Sequence, residues 1–248
     1  SSRIGDAVLS TGLLDYIIRS YPEATPTIVC GPLAASLFEG VPGRVETIAL
    51  KKQKHHKHWL DLWKKTVGTK WDIVVDLRDS AVSRLIRAEK RYIFSNHIDK
   101  SLHKVEQCAA VMSLSAPPAP TIWRSEEQRD AAKTLIPSGG PVIGVGPAAN
   151  WPGKTWLTDR FIDLLEFLRS DKGILPGARV AVFAAPGEED IAHQVLDTIP
   201  QKARLDVIAK TDPGTAAAAL ARCDFYVGND SGLMHCAAAA GVPTVGLF

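Results

Sequence analysis

The stretch FYVGNDSGLMHCAAAA at residues 225–240 passes from an apolar run through a polar, glycine-bearing turn into a run of small residues. This order predicts a β-strand that leads into the N-terminus of a helix. The backbone amides at Ser231 and Gly232 are then unpaired and favour an anion such as a phosphate or diphosphate. The segment leaves open the alternative of an ordinary strand–helix turn with Asp230 as the N-cap residue.

The same alternation of short apolar runs with helical patterns covers the whole chain and is typical of parallel βαβ units. The predicted strands are 27–30, 46–50, 72–77, 91–94, 142–145, 179–184, 205–208, 225–227 and 244–248. The predicted helices are 6–20, 57–67, 80–88, 102–113, 126–135, 158–169, 188–198, 214–221 and 232–240. We expect an α/β fold of two Rossmann-like domains whose parallel sheets face each other across a cleft.

The proline-rich segment SAPPAP at 115–120 cannot continue a helix and predicts a semi-rigid linker. The predicted domains are therefore 1–118 and 119–248. The chain enters its first helix with no strand before it and stops on a strand. We accordingly expect a longer natural protein, with a first strand before Ser1 and a further segment after Phe248.

The composition of the sequence and the motifs that it lacks argue against several classes of protein. The 248 residues carry a net charge of +2, which does not by itself indicate a nucleic-acid partner. The four cysteines are scattered without zinc spacing, which argues against a disulfide framework or a metal site and fits a reducing, cytoplasmic setting. The sequence contains no apolar run of membrane-spanning length, no signal peptide and no G-x-G-x-x-G motif after a strand. A nicotinamide or flavin cofactor is therefore not supported.

A second glycine-rich turn, GVGPAANWPGKTW at 144–156, also follows a predicted strand and carries Lys154. A lysine at the carboxyl edge of a parallel sheet can neutralise a phosphate. Taken alone, Lys154 could be a solvated loop residue beside two structural tryptophans. Because the turn at Asp230–Gly232 lies at the same predicted edge, we favour an anion site built from both turns.

Acidic residues occur at two further places, after the predicted strand 179–184 and at the start of the first predicted helix. Glu188 and Glu189 could complement a helix dipole or accept hydrogen bonds from ribose hydroxyls. Asp6 could be a helix N-cap or a general base that receives a proton from a substrate hydroxyl.

The segment KKQKHHKH at 51–58 is a dense positive patch that could be a solvated loop or could attract a polyanion. Trp59, Trp63 and Trp71 nearby could form an interfacial element or belong to the core. The three histidines of the segment have no carboxylate or cysteine beside them, so we expect no metal site there.

Taken together, the chain resembles glycosyltransferase family 9, the ADP-heptose:lipopolysaccharide heptosyltransferases. The matching pieces are IGDAVLST at 4–11, KTW at 154–156 and NDSGLMH at 229–235. The last piece fits the family pattern D-[ST]-G-x-x-H. The resemblance implies a GT-B fold of two α/β domains, in agreement with the predicted domain pair.

The resemblance also implies roles for single residues. Asp6 corresponds to the family's proposed catalytic base, and Lys154 corresponds to the lysine that contacts the donor phosphates. Glu188 or Glu189 is the local candidate for holding the nucleoside. The remaining donor-site residues are Asp230, Ser231, Gly232 and His235. The chain departs from the family pattern at Ala148, Ala149 and Asn150, where other members often have hydroxyl side chains.

The implied reaction is an inverting transfer of heptose from ADP-heptose to the inner core of lipopolysaccharide, either Kdo-lipid A or a heptosylated core. The sequence contains no D-x-D motif, so no metal ion and no cofactor besides the donor is expected. Lys51, Lys52, Lys54 and Lys57 then form an acceptor-docking surface on an enzyme at the cytoplasmic face of the inner membrane, with no nucleic-acid partner. The alternatives are a sugar-nucleotide epimerase of the same fold and a non-catalytic protein that binds nucleotides or anionic polymers.

Overall fold

The computed structural model describes residues 3–149 and 151–248. The chain divides into two compact units. The N-terminal unit contains the residues up to 35 and 42–121, and the C-terminal unit contains 36–41 and 122–248. The boundary predicted after residue 118 stays a prediction. The expectations about Ser1 and Asn150 concern residues outside the described ranges.

The N-terminal unit pairs its strands two by two. Strands β1 (Thr27–Cys30) and β2 (Glu46–Ala49) run parallel, as do β3 (Trp71–Asp76) and β4 (Ala88–Ile93). The helices of this unit are α1 (Ile4–Ser20), α2 (Lys57–Thr66), α3 (Ala81–Leu85) and α4 (Lys104–Val111). The β3 and β4 pair is a parallel βαβ arrangement through α3, as the alternation of patterns predicts, whereas β1 and β2 are joined through a 3-10 helix at Pro32–Phe38.

Helix α1 packs closely on the segment that follows α4. A Cβ atom at Gly12 would lie 2.3 Å from the carbonyl oxygen of Pro118, so only glycine allows this approach. The buried Thr11 hydroxyl beside it accepts a hydrogen bond from the Thr121 amide at 2.9 Å. These contacts hold the middle of α1, one to two turns after Asp6, against this segment.

The tryptophans of the N-terminal unit belong to its core. Trp59, Trp63 and Trp71 pack against a buried cluster that includes Ile48 and Leu62. Burial of such rings stabilises the unit through the large apolar area that they remove from water. The three rings are partly buried and pack on this cluster, which agrees with the core alternative, and the interfacial alternative stays a prediction.

The C-terminal unit is built on one five-stranded parallel sheet with the order β7-β6-β5-β8-β9. The strands are β5 (Val142–Gly146), β6 (Arg179–Ala184), β7 (Arg204–Ile208), β8 (Phe225–Asn229) and β9 (Thr244–Leu247). The helices are α5 (Glu126–Leu135), α6 (Thr158–Arg169), α7 (Glu189–Leu196), α8 (Pro213–Leu220) and α9 (Gly232–Ala239). Every residue of β5 is buried, as expected for a central parallel strand covered on both faces.

The strand order changes direction at the centre of this sheet. After β5 the chain adds β6 and β7 on one side, and then returns to place β8 and β9 on the other side. The carboxyl ends of β5 and β8 are therefore neighbours, with Gly146 paired to Gly228. Open α/β sheets bind ligands in the crevice at this kind of switch point.

Two helix predictions were too long. The predicted helix 80–88 ends at Leu85, because the chain turns there to start β4 at Ala88. The predicted helix 102–113 is the shorter α4, whose first turn is fixed by a capping box between His103 and Glu106. In the described ranges, no helix is long and apolar enough to cross a membrane.

Candidate active site

Asn229, the last residue of β8, joins the two turns at the carboxyl edge of the sheet. Its side chain is fully buried and donates from Nδ2 to the Pro147 carbonyl at 2.7 Å. Its Oδ1 atom accepts a hydrogen bond from the Trp156 amide at 3.0 Å. Pro147 and Trp156 are near the two ends of the loop that follows β5, so one side chain holds that loop against β8.

Lys154 lies in this loop and forms an ion pair with Asp230, the residue that follows β8. The lysine side chain is 44% exposed and the aspartate side chain is 18% exposed. His235 lies on the other side of the carboxylate, with Nε2 at 3.6 Å from Asp230 Oδ1. The prediction that the two turns lie together at one edge is therefore confirmed.

Helix α9 begins immediately beyond this ion pair. Its N-cap residue is Ser231, in an extended conformation and with no side-chain cap, so the alternative that made Asp230 the N-cap is wrong. The Asp230 amide instead donates to the Leu247 carbonyl of β9 at 2.9 Å. The first amides of the helix, from Gly232 onward, have no acceptor within the helix, and Asp230, which pairs with Lys154, immediately precedes the N-cap residue. This combination is suited to a phosphate or diphosphate.

Glu188 and Glu189 lie after β6, the strand next to β5. Glu188 is the N-cap residue of α7 and its Oε2 atom accepts from the Ala185 amide at 3.0 Å. The Glu189 carboxylate accepts from the Gly187 amide at 2.8 Å. Both carboxylates thus stabilise the turn and the start of α7, which agrees with the helix-dipole interpretation. A ribose contact at this position stays a prediction.

Asp6 is exposed in the first turn of α1. The N-cap residue of this helix is Arg3, so the N-cap interpretation of Asp6 is wrong. Burial raises the pKa of the Cys108 thiol in α4, Lys104 opposes this, and the negative charge of Asp6 adds to it. The Asp6 carboxylate is exposed, so a substrate hydroxyl could reach it.

The basic segment is exposed at Lys51, Lys52, Lys54 and Lys57. His55 and His56 both have left-handed backbones, with φ of 52° and 57°, which is uncommon for consecutive residues other than glycine. The buried His58 anchors the segment, since its Nδ1 atom accepts from the Gln53 amide at 3.2 Å. In the part of the chain that the structure describes, no group of three His, Cys, Asp or Glu residues is placed to hold a metal ion.

Sequence reasoning missed Asn229 and the contact between Lys154 and Asp230. Asparagine is common in turns at strand ends, so nothing in the sequence indicates that Asn229 binds the amide of Trp156, 73 residues earlier in the chain. The pairing of Lys154 with Asp230 requires the strand order, which places β5 beside β8. The sequence could indicate the edge of the sheet but could not indicate this pair.

Comparison with known proteins gives the family. Residues 59–248 match glycosyltransferase family 9 (heptosyltransferase), which is more than half of the chain. Lipooligosaccharide heptosyltransferase 2 of Haemophilus influenzae is 31% identical over 134 residues, which cover 52% of this chain and 36% of that protein.

Two solved structures share the fold. A family 9 glycosyl transferase from Veillonella parvula superposes with a TM-score of 0.81 at 22% identity, covering 98% of this chain and 77% of that one. ADP-heptose lps heptosyltransferase II of E. coli gives a TM-score of 0.75 at 20% identity, covering 99% of this chain and 82% of that one.

At these identities the structural likeness bears on the fold alone, and it confirms the predicted α/β fold of the GT-B type. The predicted enzyme class, a glycosyltransferase of the heptosyltransferase kind, is confirmed by the family match. The chain belongs to glycosyltransferase family 9, the heptosyltransferase family.

Proposed function

We propose that this protein transfers a heptose from ADP-heptose to an inner-core sugar of lipopolysaccharide, with inversion at the anomeric carbon. The observation that carries the proposal is the Lys154–Asp230 pair at the N-terminus of α9, in the crevice between β5 and β8. The similar proteins support the choice of substrates, since they are described as a lipooligosaccharide heptosyltransferase and as an ADP-heptose lps heptosyltransferase.

Lys154 and the first-turn amides of α9 bind the diphosphate of the donor. The lysine side chain is almost half exposed and can turn from Asp230 towards a phosphate oxygen. Asp230 and His235 keep the ammonium in place before the donor arrives. Each preorganised donor of this type is worth about 3–4 kcal/mol when charge develops on the leaving group.

The transfer step uses Asp6 as the general base. The Asp6 carboxylate takes the proton of the acceptor hydroxyl while that oxygen forms a bond to the anomeric carbon. The bond between this carbon and the β-phosphate oxygen breaks, and its electron pair leaves with ADP. Attack opposite to the leaving group inverts the anomeric centre. The reaction requires neither a metal ion nor a further cofactor.

Glu188 and Glu189 hold the nucleoside part of the donor. Their turn follows β6, one strand away from the phosphate crevice, at the same edge of the sheet. A carboxylate that already caps a turn is fixed in direction, and it can accept hydrogen bonds from ribose hydroxyls without a further loss of side-chain freedom.

Lys51, Lys52, Lys54 and Lys57 receive the phosphates and acidic sugars of the acceptor. All four side chains are exposed, and lysine clusters attract anionic surfaces with about 1 kcal/mol per charge. The acceptor lies in a membrane leaflet, so the enzyme works in the cytoplasm at the inner face of the cytoplasmic membrane. No nucleic-acid partner is required for this function.

The decisive experiment combines donor binding with turnover. Calorimetry with ADP, and with UDP, GDP and CMP for comparison, measures binding to the wild-type protein and to Asp6→Asn and Lys154→Ala. We expect Asp6→Asn to bind ADP normally and to lose transfer at least ~100-fold, the lower range for a general base. Lys154→Ala should weaken ADP binding itself.

Asp72→Asn, an exposed carboxylate in β3, serves as the matched control and should behave as wild type. Full turnover in Asp6→Asn would show that Asp6 is not the general base. ADP binding without any transfer in the wild type would favour the non-catalytic alternative. A change in the donor sugar without an acceptor would favour the epimerase.

A further inference from the structure

Tyr226 lies in β8, three residues before the end of the strand, and its side chain is fully buried. Its ring occupies space that three glycines leave open at the centre of the sheet. A Cβ atom at Gly146 would lie 2.1 Å from the Tyr226 hydroxyl oxygen, and a Cβ atom at Gly228 would lie 2.6 Å from it. A Cβ atom at Gly144 would lie 3.0 Å from the ring. The phenol therefore reaches the carboxyl ends of β5 and β8, directly behind the phosphate crevice.

The Tyr226 hydroxyl and the Ser231 hydroxyl are both buried, and neither has a hydrogen-bond partner of normal geometry within 3–149 and 151–248. A buried polar group without a partner costs about 1–3 kcal/mol. A phenylalanine would fill the same slot without this cost. Ser231 is equally unusual, because a serine at the N-cap position commonly caps its own helix and this one does not.

The two hydroxyls lie at the same end of β8, because the phenol oxygen reaches Gly228 and Ser231 follows two residues after Asn229, the last residue of the strand. Burial raises the pKa of the Tyr226 phenol far above its ordinary value, and the neighbouring Ser231 side chain offsets only a small part of this. Tyr226 consequently keeps its proton at every physiological pH and can only be oriented, not ionised. Gly146 and Gly228 lie close to its oxygen on the side of the strands, where a Cβ atom would clash with it.

We propose that Tyr226 is a positioning residue for the donor diphosphate. When a phosphate binds at the N-terminus of α9, the Tyr226 hydroxyl donates to Ser231 Oγ, and the Ser231 hydroxyl donates to a phosphate oxygen. Both unpaired groups are then satisfied, and the proton of Ser231 is aimed at the ligand. This inference rests on the proposed function, because it assumes that a diphosphate occupies the crevice.

The test is a double-mutant cycle with ADP as the ligand, read by calorimetry, with thermal unfolding of the ligand-free protein as the second readout. Tyr226→Phe should weaken ADP binding about 3- to 10-fold, the effect expected when the neutral hydrogen bond from the phenol to Ser231 is lost. Tyr226→Phe combined with Ser231→Ala should bind no worse than Ser231→Ala alone, because the phenol acts only through the serine. The melting temperature without ligand should stay the same or rise.

Ser231→Thr keeps a hydroxyl at this position and should keep the sensitivity to Tyr226→Phe, whereas Ser231→Ala should abolish it. Tyr16→Phe removes a phenol hydroxyl from an exposed tyrosine of α1 and serves as the matched control. Wild-type affinity in Tyr226→Phe, additive losses in the double variant, or a lower melting temperature in Tyr226→Phe would each overturn the inference. If the wild type and Lys154→Ala bind ADP equally, or neither binds, the proposed function fails first.

Discussion

The side chain of Asn229 accepts a hydrogen bond from the backbone amide of Trp156 at 3.0 Å, which ties the end of β8 to the loop that carries Lys154. Because Asn229 also donates to Pro147, both ends of the loop depend on one buried amide. The position of the Lys154 ammonium is therefore set by a residue that has no charge itself.

Replacing Asn229 by alanine should show this dependence. The change leaves the Trp156 amide and the Pro147 carbonyl without their partner, and we expect a loss of about 2–4 kcal/mol in the free energy of unfolding. Binding of ADP should weaken as well, because the loop and Lys154 are released. Urea unfolding and calorimetry measure both effects. Asn96→Ala, at an exposed asparagine, is the control. Unchanged stability would contradict the role given to this amide.

Gly146 and Tyr226 should compensate each other in size. Gly146→Ala places a methyl group 2.1 Å from the Tyr226 hydroxyl oxygen, and such overpacking costs about 1–3 kcal/mol. Tyr226→Phe removes that oxygen and leaves the nearest ring carbon 3.2 Å away, so the double variant should regain part of the lost stability. Thermal unfolding of the two single variants and the double variant measures the recovery. A double variant as unstable as the sum of the single ones would argue against this packing.

Charge reversal tests the acceptor surface. Changing Lys51, Lys52 and Lys54 to glutamate should raise the KM for the lipopolysaccharide acceptor and reduce binding to anionic vesicles, with little change in ADP affinity. The opposing charges would repel the acceptor phosphates, and the effect should shrink at high salt. Reversing Lys90, Lys172 and Lys202, which are also exposed, changes the net charge equally and serves as the control. A loss of ADP binding with normal acceptor KM would contradict the assignment.

The free energy of unfolding of the C-terminal unit should depend on pH through Asp212. Its carboxylate caps α8 by accepting from the Gly214 and Thr215 amides at 2.9 and 3.0 Å. Partial burial works against ionisation, but the hydrogen bonds from Thr215, Ser36 and Gly214 outweigh it and hold the pKa of Asp212 below its ordinary value of 3.8. A depressed pKa gives stability that is present above the unfolded-state value and is lost as the pH falls through the folded-state value.

Asp212→Ala should therefore reduce the free energy of unfolding by about 1 kcal/mol at neutral pH, the usual value of an N-cap. The difference from wild type should narrow below pH 4, where the wild-type carboxylate also takes up a proton. Denaturant unfolding between pH 3 and 7 measures it. Asp171→Ala, at an exposed aspartate after α6, is the comparison. A constant difference over this pH range would show that the charge contributes nothing.

The alternation of apolar runs and helical patterns was sufficient for the C-terminal unit. All five of its strands lie where the pattern predicts them, and the signal is clearest for the central strands β6, β5 and β8, which are apolar because both of their faces are covered. The local pattern was less reliable at α3, which is short and half-exposed, since its end is decided by the turn into β4. The N-cap alternatives for Asp6 and Asp230 were wrong, because α1 begins after Arg3 and α9 begins after Ser231, although aspartate is a good N-cap residue.

The sequence by itself determined the candidate site residues: the turn at Asp230–Gly232, the lysine of the K-T-W motif and the early aspartate are all local patterns. Only the tertiary structure decided that Lys154 forms an ion pair with Asp230 and that Asn229 binds both ends of the loop after β5. It also decided that the Tyr226 phenol reaches the end of β8. The physical reason is that strand order and side-chain direction are set by packing between distant segments. The packing of the Tyr226 phenol against glycines and the burial of the Asn229 amide cannot be recognised from the residues that surround them in the sequence.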